Sequence, residues 1–75
     1  MNTQRRKQVL LIIRKLNDTL RDLQSIRDEE DEARDNMPEN FQNTDKYLDS
    51  EAASEAMDDV IDTIDAAISL LEEIS

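Results

Sequence analysis

Between Ala53 and Ile74 the apolar residues Ala53, Met57, Val60, Ile64, Ala67, Leu71 and Ile74 follow steps of four and three without a break. Each pair of steps closes a seven-residue repeat, which sets these side chains along one stripe of an α-helix, the pattern of coiled coils and helical bundles. Ile61 and Ile68, each four residues after a stripe member, widen it into a face suited to more than one neighbour. A helix of this kind must bury its stripe against something.

The rest of the chain reads as that partner. Val9, Ile12, Ile13, Leu16, Leu20, Leu23, Ile26 and Ala33 recur at helical spacing, with Leu10 and Leu11 thickening the start. A helix over about residues 3–35 is predicted, with Thr3 as its N-cap. The stripe weakens from Asp28 onward, where Glu30 stands in place of an apolar residue. Glu30 either reaches water or pairs with Arg34 one turn on, or it is a buried polar residue that fixes register.

Pro38 punctuates the connection, about residues 36–44. It donates no backbone hydrogen bond and biases Met37 away from helical angles, so the first helix must end near Asp35 or Asn36. Pro38 also suits the start of a single helical turn through Phe41. Met37 and Phe41 are expected to plug the end of the helical pair. Thr44 is the expected N-cap of a second helix over about 45–74, with Asp45 favourably placed against the helix dipole; Ser50 is the competing cap.

A connection this short returns the second helix antiparallel to the first. The 75 residues are thus read as one all-α domain, a coiled-coil-like antiparallel helical hairpin. The absence of Gly and the single Pro remove the usual turn chemistry of a small β-protein. Antiparallel packing would set Arg5, Arg6 and Lys7 beside Glu72, Glu73 and the terminal carboxylate, offsetting two clusters that each oppose their own helix dipole. Two helices leave broad apolar faces wet, and no Cys or His is present to supply a disulfide or the usual metal ligands. A homodimer forming a four-helix bundle is the expected completion, with Leu10, Ile13, Leu20, Val60, Ile61, Ile64, Ile68 and Leu71 at the interface.

Charge is unevenly placed. Residues 1–27 hold seven basic side chains against two acids, residues 28–75 two against seventeen, and the formal net charge is -10. Such a chain is repelled by nucleic acid and by anionic membranes, so protein partners with basic surfaces are expected, with no direct nucleic-acid binding. The run Val9 to Ile13 is too short to span a bilayer, and no cleavage site follows it. A soluble, unexported, cytoplasmic protein is expected.

Catalysis is not. No Ser is paired with a His, no glycine-rich phosphate loop exists, and a rod offers little cleft in which to perturb a carboxylate. Neither acidic segment has the glycine and ligand spacing of a calcium loop, and the inward Glu-x-x-His pairs of carboxylate-bridged metal bundles are missing. No cofactor and no metal are expected. Glu51, Glu55, Asp58, Asp62, Asp65 and Glu72 do follow steps of four and three, with Ser69 in the gap. Read away from the apolar stripe, they repeat carboxylates every ~5 Å along the helix. This row, with Asp28, Glu29 and Glu32 as a second patch, either mimics a phosphate backbone towards a basic groove or only keeps the rod soluble.

The run Asp28-Glu29-Glu30-Asp31-Glu32-Ala33-Arg34-Asp35-Asn36-Met37-Pro38-Glu39-Asn40-Phe41-Gln42 resembles a widespread group of small acidic helical-hairpin proteins of Firmicutes and their phages. The shared features are an acidic helix end, an Asn-x-Pro-Glu turn, a Gln soon after, and a second helix of repeated acid-Ala-Ile units. The chain departs from them in its sparser segment 49–55. The resemblance covers most of the chain from Ile26 onward. It implies a mobile-element setting and carries over no catalytic residue. Together with the acidic row, it makes an inhibitor of a basic, nucleic-acid-handling host protein, of a CRISPR or restriction system for example, the first expected role. A structural adaptor hairpin without mimicry is the alternative.

Overall fold

The computed structural model describes all residues from Met1 to Ser75. Two helices, α1 (Thr3–Asp35) and α2 (Asp45–Ile74), are joined by a single 3-10 turn, Glu39–Phe41. The helix bounds agree with the spacing of the sequence. The first cap does not, because Asn2 takes the role expected of Thr3: its side chain accepts from the Arg5 N–H at 2.8 Å. Asn is at least as good a cap as Thr, and it satisfies one of the free donors of the first turn.

The connection turns without any residue at positive φ. With no glycine to supply a left-handed cap, α1 ends through Asn36 in the right-handed region, its N–H donating to the Glu32 carbonyl at 3.1 Å. Pro38 is extended, and its carbonyl accepts from the Phe41 N–H at 2.9 Å to close the turn. Thr44 is the cap of α2. Its hydroxyl donates to the Phe41 carbonyl at 2.7 Å and accepts from the Tyr47 N–H at 3.4 Å, which ties the turn to the helix start. Ser50 therefore lies inside α2, and it is buried. Met37 is half-buried as expected of a plug, whereas Phe41 is half exposed and covers little.

Hydrogen bonds between the helices set their direction and register. Arg34 bonds to Ser50 and Ser54, Asp31 to Ser54, and Arg27 to Asp58, so α2 numbers rise as α1 numbers fall. The hairpin is antiparallel, a rod of 59 × 14 × 12 Å.

The inward residues of α1 are Val9, Ile13, Leu16, Leu20, Leu23, Arg27, Glu30 and Arg34, all buried or half-buried, an unbroken heptad that half-buried Met37 continues just past the helix end. On α2 they are Tyr47, Ser50, Ser54, Met57, Ile61, Ile64, Ile68 and Leu71. This corrects the expected stripe. Met57, Ile64 and Leu71 face α1, but Ala53, Val60 and Ile74 are exposed and Ala67 only half-buried, and the inward places of Ala53, Val60 and Ala67 go to Ser54, Ile61 and Ile68.

The interior is divided along its length. Towards the chain ends it is apolar, and carrying the register through sets Ile13 level with Leu71, Leu16 with Ile68, Leu20 with Ile64 and Leu23 with Ile61. Towards the connection it is polar. Only Ile13, Ile61 and Ile68 among apolar residues are buried, and none of them completely. Val9 falls level with Ser75, so Arg5, Arg6 and Lys7 overhang α2, and no ion pair joins them to Glu72 or Glu73 as expected.

Candidate functional site

The polar half of the interior is a closed hydrogen-bond network. The Arg34 guanidinium enters from α1 and donates to the Ser50 carbonyl (3.1 Å), the Ser50 hydroxyl (3.2 Å), the Ser54 hydroxyl (2.8 Å) and the Asp31 carboxylate (2.8 Å). The two hydroxyls pass their own protons on, Ser50 to Glu30 Oε2 and Ser54 to Asp31 Oδ1, both at 2.6 Å. No buried side-chain polar atom is left without a partner. Glu30 thus points across to α2 instead of pairing with Arg34, the geometry of a register-fixing polar residue.

The network holds its charges in place. Hydrogen bonds from Ser54 and then Arg34 lower the Asp31 pKa below the usual carboxylate value, and the bond to Asp31 raises that of Arg34. Arg27 is raised likewise by Asp58 first and Asp28 second. Because the folded Asp31 value lies below the unfolded one, its stabilisation is complete above the unfolded pKa and is lost as pH falls through the folded pKa. Thermal melts between about pH 5 and 2 are expected to fall less steeply for Asp31→Asn than for the parent chain. Parallel slopes would remove Asp31 from the acid response.

Lettering the heptad with inward residues at a and d sorts the outer faces. On one side run the e and b columns. Arg27 reaches Asp58, at an e position, at 2.7 Å and Asp28, at a b position of α1, at 3.1 Å, so the e and b columns of both helices share this side. Here lie Glu51, Glu55, Asp58, Asp62 and Asp65, all exposed. The acidic row therefore flanks the hairpin seam and is not its back, because e and b are about 100° from the a/d direction.

Two further facts qualify this row. Asp58 is spent on Arg27, and α1 places Lys7, Arg14 and Arg21 on the same side, towards the chain ends. Net acidity is concentrated near the connection, at Glu51, Glu55 and Asp28. Glu32 is exposed on the outer back of α1 and Glu29, at a c position, is exposed away from the e and b side, so neither joins that patch.

The opposite side carries the g column of α1 and the g and c columns of α2. On α2 it reads Ala53, Ala56, Val60, Thr63, Ala67, Leu70 and Ile74, with no charged residue. Leu70 is 64% exposed, Ile74 49% and Val60 47%. Ile12 and Ile26 of α1 lie on this side, 46% and 54% exposed. Of the expected interface residues, Val60 belongs here and Leu10 is exposed on the charged side. Ile13, Ile61 and Ile68 are buried within one hairpin, and Leu20, Ile64 and Leu71 half-buried, so they have little surface left for a second chain.

Spacing alone does not single out Arg27, Arg34, Ser50 and Ser54 as the residues that bond the helices together. Their signal was present: polar residues occupy the continuation of the inward heptad in both helices over the same levels. No helix is long and apolar enough to cross a membrane, and no cluster of carboxylates is arranged to hold a metal ion. No known protein family matches the chain, and no curated protein or solved structure does.

Proposed function

We propose that the chain is a non-enzymatic protein-interaction module. It pairs with a second copy along its uncharged side into a four-helix bundle and offers its acidic side to a protein with a basic surface. The observation that carries this reading is the sidedness of α2: one outer face without a charge from Ala53 to Ile74, and a carboxylate row on the other. A lone hairpin with three buried apolar residues has too small a core to stand well by itself, which favours association.

The acidic side suits a nucleic-acid-handling host protein, the target class of an anti-CRISPR or anti-restriction inhibitor. The basic row of Arg14 and Arg21 confines any likeness to a phosphate backbone to the end near the connection. Glu51→Lys/Glu55→Lys/Asp62→Lys is the test, because it spares the Asp58 ion pair. Proteins captured from a bacterial lysate by the parent chain are expected to be released by added salt and by duplex DNA, and to be lost with this variant while its helix content and oligomeric state persist. Capture undiminished by the triple reversal would leave the adaptor hairpin without mimicry.

A further inference from the structure

We infer that the second copy docks antiparallel, α2 against α2, about a two-fold axis that crosses each hairpin at Thr19 and Thr63; this rests on the self-association proposed above. The two threonines neighbour Leu20 and Ile64, which the register sets level, so a single axis can pass both on the uncharged side. Each hydroxyl is already satisfied inside its own helix, Thr19 by the Lys15 carbonyl at 2.9 Å and Thr63 by the Asp59 carbonyl at 2.8 Å. Burial of both at the axis therefore strands no donor.

The α2 stripe is graded in size. Its connection end is small, Ala53 and Ala56, and its other end large, Leu70 and Ile74. An antiparallel match sets Ala56 opposite the partner's Leu70, Ala53 opposite the partner's Ile74, and Val60 opposite the partner's Ala67. A parallel match would crowd leucine on leucine at one end and leave a gap between alanines at the other, and both faults are costly in a packed interface.

The same axis places Ile12 of α1 opposite the partner's Ile26, bulk that fills the wider space beside a close α2 pair. It also brings Lys15 level with the partner's Asp22, so opposite charges border the apolar strip twice, once on each side of the axis. Two helix widths of ~10 Å over the ~32 Å from Ala53 to Ile74 give on the order of 600 Å2 per chain. That approaches the ~800 Å2 per partner of a stable small interface.

The chain has no cysteine, so engineered thiols report contacts without background. Ala56→Cys and Leu70→Cys chains, mixed under native conditions and oxidised, are expected to yield a covalent dimer, whereas either variant alone is not; close helices bring the two Cβ atoms within disulfide reach. Sedimentation of the unmodified chain is run beside it. A dimer in which Ala56→Cys alone crosslinks, or in which the mixture does not, overturns the antiparallel arrangement and leaves self-association standing. A folded monomer at micromolar concentration overturns both.

Discussion

Ile61→Ala and Ile68→Ala are each expected to lower the thermal midpoint by ~10 °C or more, while Val60→Ala, one residue away, has a small effect. Ile61 and Ile68 are two of the three buried apolar residues, 7% and 5% exposed, and face Leu23 and Leu16. Truncating such a side chain costs about 2–5 kcal/mol, and in a domain of this size each kcal/mol moves the midpoint by about 4–8 °C. Val60 is half exposed in the hairpin and should lose about 1 kcal/mol or less. Helix melting followed by circular dichroism checks both. Equal losses at residues 60 and 61, measured at a concentration low enough to hold the chain as a single copy, would mean that the hairpin packs through a different stripe.

The other large effect concerns the polar half of the interior, and its sign reverses with the number of residues changed. Arg34→Met adds apolar surface yet is expected to destabilise. It leaves Asp31 without its cation and takes the guanidinium donors away from the Ser50 carbonyl and from the Ser50 and Ser54 hydroxyls. Replacing the layer as a whole, Glu30→Leu/Asp31→Ala/Arg34→Met/Ser50→Ala/Ser54→Leu, is expected to melt above the parent chain, since a packed apolar layer removes the desolvation that the network must offset. Each hydroxyl removed together with its partners leaves nothing unsatisfied, whereas a stranded one costs about 1–3 kcal/mol. The combined variant should also lose uniqueness, because an apolar layer accepts several registers; doubled amide resonances or mixed oligomers would show it. A stabilising Arg34→Met would deny the network its structural role.

These expectations separate two functions of one helix. The network and the Ile61/Ile68 layers hold α2 against α1 in one rotation. That rotation decides which outer columns form the uncharged side, where the second copy is proposed to dock, and which form the acidic side proposed for a basic partner. A change that lets α2 turn by one heptad position would bring carboxylates to the uncharged side, so the proposed interaction would depend on the Arg34 layer that holds the rotation.

The number of helices, their bounds near residues 3–35 and 45–74, and the Thr44 cap could all be read from the sequence, because they depend on contacts within a few residues: i to i+4 hydrogen bonds, side-chain caps, and a proline that ends a helix. The antiparallel return followed from the short connection. Which stripe of α2 faces inward did not, because that helix carries two uncharged stripes in the same seven-residue frame. Met57, Ile64 and Leu71 belong to one and Ala53, Val60, Ala67 and Ile74 to the other, and the spacing of either is helical. Only the pairing with α1 chose between them. The inward Arg27, Glu30 and Arg34 need oxygen and hydroxyl partners, and Ser50, Ser54 and Asp58 supply them where Ala53 and Val60 could not.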